Sequence, residues 1–438
     1  MSFKETEIGK IPLDWDVAKL GDVADVLSGF AFKSKDFVDN GVPVIKIKNI
    51  VPPYVTTDDA VYVSQELYEL SEKYQLNYND ILISMTGSNY NQLSSAVGKV
   101  GRVRLKDEPM LLNQRVGKIL TNERKCNKEF LYYNISTMET RYRLALSAGG
   151  SANQANISPK QIKSLLIPYP PLEEQKVIAH ILSTLDEKIE VNNQINKILE
   201  NMAQAIFKQW FVDFEFPNDD GEPYKSSGGE MIESELGMIP KGWEVKELGE
   251  IIDIIKQGTK PGEHLKDRKY NPIDTLPMKS IAINDFKPYE EAKSSLILFE
   301  KYDILIGAMR VYFHRVNLAP YKGITRTTTF VLRSKRIQDV PYNLFLLNMD
   351  ETIDYAERTS KGSTMPYAVW DNGMSNMLTA YSNKELRNNF FEIIQPMLET
   401  IMKRSAENEV LIKLRDSILP KLMSGKIRVP LDSEGDVS

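Results

Sequence analysis

The phrase IGKIPLDWDVAKLG at 8–21 returns as LGMIPKGWEVKELG at 236–249. At a constant offset of 228, Gly9, Ile11, Pro12, Trp15, Val17, Leu20 and Gly21 recur as Gly237, Ile239, Pro240, Trp243, Val245, Leu248 and Gly249. A chain of 438 residues that restarts after 228 is two copies of one unit. Duplication predicts internal pseudo-two-fold symmetry, and such symmetry suits a partner that is itself two-fold. The tetrapeptide Asp-Ile-Leu-Ile, at 80–83 and again at 303–306, carries the repeat well into each copy.

Each copy reads in the same order: opening phrase, strand-rich body, long helix. Apolar alternations bounded by Gly, Pro and Asn predict strands at 42–50, 79–85 and 114–120, answered by 301–309 and 327–334. After the helix-stopping PYPP at 168–171, apolar beats fall at Ile178, Leu182, Leu185, Ile189, Leu199, Ala203, Ile206 and Trp210. Asn192 and Asn196 fill the two missing beats. The second copy answers with Phe391, Ile394, Leu398, Ile401, Ile412, Leu419 and Leu422, interrupted by Ser405, Asn408 and Arg415. This four-three rhythm predicts a coiled-coil seam, and the two helices are each other's natural partners. The expected fold class is α+β: two α/β bodies joined by a pair of long antiparallel coiled-coil helices. An antiparallel pair places its dyad across the helices, which matches the dyads of a DNA duplex.

The expected boundaries are a first body at 1–165, a helix at 171–212, an acidic linker at 213–235, a second body at 236–380, a helix at 384–425 and a flexible tail at 430–438. The 212–235 stretch sets eight acids against Lys225 and is rich in Gly and Ser, as linkers are. No apolar run approaches the roughly 18 residues of a membrane helix, so no membrane partner is expected. The single Cys126 forms no internal disulfide and suits a reducing, cytoplasmic setting. His180, His264 and His314 lie far apart in sequence, so no metal site is expected.

The net charge of −5 conceals two basic stretches. Residues 310–336 hold seven Lys and Arg with no acid, and residues 99–125 hold eight against three acids. Local clusters of this kind can bind phosphates on an acidic chain.

With its opening phrases and helices, the chain resembles the specificity subunit of Type I restriction-modification enzymes. The resemblance is carried by IPLDWDVAKLGDVADVLSGFAFKSKDF at 11–37, PLEEQKVIAHILSTLDEKIE at 171–190 and AIFKQWFVDFEFP at 205–217. The second copy contributes IPKGWEVKELGEI at 239–251 and LRDSILPKLMSGKI at 414–427. It implies two target-recognition domains, each reading one half of a split sequence in double-stranded DNA across a non-specific spacer. It also implies paired helices that dock two methyltransferase subunits, and restriction subunits beside them. S-adenosylmethionine would then be bound by the methylase partner, and ATP and Mg by the restriction partner, with no cofactor on this chain.

Lysine and arginine supply sequence-independent affinity for phosphates, while arginine, asparagine and glutamine read base edges. In the first copy the expected contacts are Lys99, Arg102, Arg104 and Arg115 for phosphates, and Asn113, Gln114, Asn153 and Gln154 for bases. In the second they are Arg310, Tyr312, His314, Arg315 and Arg326, with Lys361 and Ser363 from the loop KGSTMPY. The loops at 33–35 and 88–92 are secondary candidates. No catalytic residue is expected. The nearest match to a methylase motif, Val51-Pro52-Pro53-Tyr54, has valine where the side-chain acceptor belongs, and reads as a proline turn. No P-loop is present. Trp15 and Trp243 read as core anchors. The rival readings are a self-contained methyltransferase or nuclease, and a coiled-coil scaffold without DNA readout.

Overall fold

The computed structural model describes residues 2–88, 91, 97–106, 108–151 and 154–430. The chain divides into unit 1, Met1–Asp186 with Lys413–Ser438, and unit 2, Glu187–Ile412. Each long helix therefore contributes one part to each unit: Leu172–Phe207 changes units after Asp186, and Lys384–Met423 after Ile412.

Unit 1 opens with a hairpin, Phe3–Thr6 against Gly9–Pro12. Its main sheet centres on Ile81–Ser84, which pairs antiparallel with Val100–Arg102 on one side and Val116–Thr121 on the other. Both faces of this strand are covered, and all four of its residues are buried. That is why the Asp-Ile-Leu-Ile motif is continuously apolar rather than alternating. A four-stranded sheet (Leu111–Leu112, Val42–Ile45, Val61–Val63, Phe37–Val38) completes the body. Val51-Pro52-Pro53-Tyr54 is the turn of a small hairpin, Ile50–Val51 against Tyr54–Val55.

Unit 2 rebuilds the same frame. Its hairpin is Met231–Ser234 against Gly237–Pro240, and its central strand, Ile304–Gly307, lies between Val316–Leu318 and Thr329–Ser334. The copies agree atom for atom at several joints. The Thr6 hydroxyl donates to the Gly9 carbonyl at 2.6 Å, and Ser234 to Gly237 at 2.7 Å. Leu20 N–H donates to Leu165 O at 2.8 Å, and Leu248 N–H to Met377 O at 3.0 Å. The motif aspartates are buried turn residues: Asp80 accepts from Asn77 N–H at 2.8 Å and Asp303 from Glu300 N–H at 2.7 Å. The recurring Gly21 and Gly249 are packing positions, since a Cβ at either would sit 3.0 or 3.2 Å from Lys163 or Ser375.

Trp15 is fully buried and Trp243 is 4% exposed, as expected of core anchors. Trp15 Nε1–H donates to Glu174 at 2.9 Å, and Arg428 reaches the same carboxylate at 2.8 Å. In unit 2 the acidic connection expected as a linker at 213–235 folds rather than trailing free. Phe216 stacks on Tyr224 and on Trp243 with centroids 4.5 and 5.6 Å apart, and Phe214 meets Trp243 edge-on. Its last residues form the first strand of the second hairpin, so the repeat begins about five residues before the phrase that reveals it. Trp210 and Phe211 are buried in the same core.

The helix pair is antiparallel within each unit. In unit 2 the partners descend as the first helix ascends: Asn192 Nδ2 donates to Asn408 Oδ1 at 2.8 Å, and Asn196 to Ser405 at 3.3 Å. Arg404 and Asn193 complete this polar notch at 2.8 and 2.9 Å. Buried polar groups at seam positions fix register, because a slip leaves them unpaired. In unit 1 the seam holds Ile178, Leu182 and Leu422, and carries an ion pair from buried Asp186 to half-buried Arg415 at 2.8 Å.

Candidate nucleic-acid interface

In both units the end of the central strand is a junction of loops stitched by main-chain hydrogen bonds. In unit 1, Met85 N–H donates to Arg115 O at 2.9 Å, Ile157 N–H to Met85 O at 2.9 Å and Ser84 N–H to Lys99 O at 2.8 Å. Thr86–Gly87 then pairs with Gln154–Asn156, which pairs in turn with Gly149–Ser151. In unit 2, Ala308 N–H donates to Thr328 O at 2.9 Å, Ala368 N–H to Ala308 O at 2.8 Å and Gly307 N–H to Arg315 O at 3.0 Å. Arg310 N–H adds a bond to Pro366 O at 2.8 Å, and Met309 and Lys361 both bridge to Tyr367. The same three bonds thus gather the same three loops in each copy.

Several expected contacts stand at these junctions with free exposure. In unit 1 they are Gln114, Arg115 and Gln154, with Asn113 half-buried beside them. Phe30 N–H and Leu112 O, and Gln114 N–H and Phe30 O, bind a further loop to this edge at 2.9 Å each. That approach requires glycine at 29, where a Cβ would lie 2.3 Å from Leu112 O. In unit 2 the exposed residues are Arg310, Tyr312, Arg326, Lys361 and Ser363. Asn153 lies outside the described residues, as do Asn89, Tyr90 and Gln92 of the secondary loop 88–92. Lys33, Ser34 and Lys35 are exposed.

Other expectations are corrected. Arg102 has no exposed surface: its guanidinium pairs with Glu129 and, at 2.7 Å, with Asp186, and lies 4.0 Å over the Tyr132 ring. No phosphate reaches it, because the strand that carries it is covered on both faces. His314 is also buried, with Nε2 3.0 Å from the Asn348 side chain and Nδ1 3.3 Å from Asp350. Arg315 is half-buried, and its guanidinium donates to the carbonyls of Ile273, at 2.7 Å, and Leu276. It holds a turn rather than facing solvent, and burial lowers its pKa. Arg104 lies beyond the far end of its strand, where it donates to the Tyr78 hydroxyl at 2.9 Å. Lys99 sits half-buried at the junction, its pKa lowered by burial and then by the Arg141 charge.

The loop KGSTMPY named from the sequence brings exposed Met365 and Tyr367 to this edge, while exposed Phe30 in unit 1 and Phe313 in unit 2 were missed. Their signal was available, since each lies next to a glycine, proline or aromatic within a loop rather than in an apolar rhythm. Among the described residues, no three His, Cys, Asp or Glu are grouped to hold a metal ion. No helix among them is long and apolar enough to cross a membrane.

Exposed amides and guanidinium groups on preorganised loops are the chemistry of base and phosphate readout. Residues 12–201 and 240–371 match the Type I restriction modification DNA specificity domain. The MjaIX specificity subunit of a Type I restriction enzyme from Methanocaldococcus jannaschii is 28% identical over 98% of this chain and 96% of its own length. The putative MjaX specificity subunit of the same organism is 29% identical over 98% and 97%. The crystal structure of a Type I S subunit from M. genitalium superposes with a TM-score of 0.56, covering 94% of this chain and 96% of that one at 17% identity, so it shares the fold. With the domain matched in both repeats, the chain belongs to the Type I restriction-modification DNA specificity family, the subunits that recognise the DNA target.

Proposed function

We propose that the two loop junctions each read one half of a bipartite DNA target, with an unread spacer between the halves. The observation that carries this reading is the shared junction: identical main-chain bonds gather equivalent loops, while the exposed side chains differ completely. Gln114, Arg115 and Gln154 would read one word, and Arg310, Arg326 and Lys361 another. The chain itself is non-catalytic in this reading. Two methyltransferase subunits, docked on the paired helices, supply S-adenosylmethionine and flip the target adenines. Restriction subunits that use ATP and Mg join the same complex.

The decisive experiment exchanges residues 1–165 for the matching body of a relative and maps methylated sites in cells that also carry the methylase subunit. One half-site is expected to change and the other to persist. Simultaneous change of both would break the modular reading. In the same assay, a helical turn inserted near Asn192, with a matching turn opposite, is expected to lengthen the spacer and leave both words intact.

A further inference from the structure

We propose that Tyr312 and Phe313 form an aromatic wedge that enters one base-pair step of the half-site read by unit 2. The inference rests on the DNA-reading role argued above and adds a way of gripping the duplex.

The wedge is a short turn, Val311–Phe313, held rigidly from both ends. Its flanking residues, Arg310 and His314, have left-handed backbones with φ of 51° and 52°. Non-glycine residues adopt this conformation uncommonly, and here surrounding contacts hold it. The contacts are present: Val311 is 3% exposed within the core of unit 2, and His314 is buried against Asn348. With both neighbours pulled inward, the two rings between them face outward, Tyr312 43% and Phe313 37% exposed, their centroids 4.9 Å apart. Phe313 is backed by the Arg315 guanidinium at 5.7 Å, which the Ile273 carbonyl fixes at 2.7 Å.

An adjacent pair of large rings held out of the core calls for a partner with an apolar interior. The surroundings give that partner a negative exterior. Arg310, Arg326 and Lys361 are exposed at the same junction, and Arg310 N–H ties the wedge loop to Pro366, beside exposed Met365 and Tyr367. A polyanion with a stack of flat rings inside it is a nucleic-acid duplex, and apolar side chains inserted at a base step are an established way of kinking one. Pyrimidine–purine steps unstack most easily. The unit 2 half-site is therefore expected to carry such a step opposite the wedge.

The test uses the full chain assembled with its methylase subunits, on a duplex carrying its mapped target. 2-Aminopurine is walked through the unit 2 half-site at positions other than the methylated adenine. Fluorescence is expected to rise at one step, and to return to the duplex level in the Tyr312→Ala/Phe313→Ala double variant. Specific affinity should fall about 10-fold or more, the scale of lost base–aromatic stacking, and by more than the affinity for random DNA falls. Tyr312→Trp should keep the signal. Flat emission throughout the half-site, in a complex that still methylates it, overturns the wedge. So does a double variant whose only defect is weaker assembly with the methylase, which would make the rings a protein contact. If the wild-type complex shows no preference for the half-site at all, the reading under Proposed function fails instead.

Discussion

In unit 1, Arg102 on the main sheet meets Asp186 on the first long helix at 2.7 Å, with Tyr133 OH on the same carboxylate at 2.7 Å and Arg415 completing the set. Unit 2 has a different interior at the corresponding place. The matching sheet position, set by the shared strand bonds, is Leu318, and the matching helix position, set by the Asn193–Asn408 notch, is Ile401; both line one apolar recess. Where unit 1 has Arg415, unit 2 has Glu200, whose carboxylate accepts from Ile281 N–H at 2.6 Å. One frame therefore tolerates either a closed ionic cluster or a hydrocarbon contact. A frame defined by strand pairing constrains where side chains meet. It does not dictate their chemistry, provided each set satisfies itself.

The strongest way to break this comparison is Arg102→Ala. It removes one of the two cations on buried Asp186 and the ion-pair partner of half-buried Glu129, and should cost about 3–5 kcal/mol in urea unfolding. Importing the unit 2 pair, Arg102→Leu with Asp186→Ile, should recover part of that loss, because Arg415 keeps Asp416 and Glu129 keeps Asn79 while Tyr133 OH loses its acceptor. A double variant no better than the single one would show that the two interiors are not interchangeable.

A smaller effect separates the motif aspartates. Asp80 pairs at 2.6 Å with Lys118, whose side chain is 12% exposed, whereas the Arg333 partner of Asp303 is 43% exposed. Asp80→Ala leaves the half-buried Lys118 ammonium with the Gln75 carbonyl alone at 3.3 Å, while Asp303→Ala lets a guanidinium turn to water. The first should cost about 2–3 kcal/mol and the second about 1 kcal/mol by the same denaturation assay. Equal losses would mean that the turn bonds to Asn77 and Glu300 dominate in both copies.

The smallest effect is a slope. Burial raises the Glu200 pKa above its usual 4.5, against the opposing bonds from Ile281 and Ser280. From about pH 4.5 up to the raised value, the folded chain holds the proton more tightly than the unfolded one, so this group's contribution falls as pH rises. Glu200→Gln keeps an acceptor for Ile281 and removes the titration. Its stability relative to the wild type should climb through that window and level off above it. A pH-independent difference would place the Glu200 charge at no cost in the core.

The repeat, the central strands and both helices were legible because they are periodic, and periodicity survives in a bare sequence. Asp-Ile-Leu-Ile marked the central strand of each copy, buried on both faces, and the Asn192 and Asn408 beats marked the notch that pairs them. The site was legible only as a neighbourhood. Gln114, Arg115, Gln154 and Arg310 stand at the junctions, yet Arg102 and His314, from the same basic stretches, lie in the interior. Charge alone does not tell a cation facing water from one facing a buried carboxylate. One sign was available: Asp186 stands four residues from Leu182 and three from Ile189, an acid on an apolar seam that requires a cation nearby. Phe30 and Phe313 escaped because loops have no rhythm that separates an exposed ring from a buried one, and only the neighbouring Gly29 and Tyr312 marked them.

The junctions that gather the reading loops are closed by main-chain N–H and carbonyl groups, which every residue but proline can supply in full. Exchanging Gln114, Arg115 or Lys361 for another residue breaks none of these bonds. The vocabulary of the protein is thereby uncoupled from its stability. On the proposed reading, new target words are accessible by single substitutions that the fold does not register, and selection can act on what is read without first repairing what reads it.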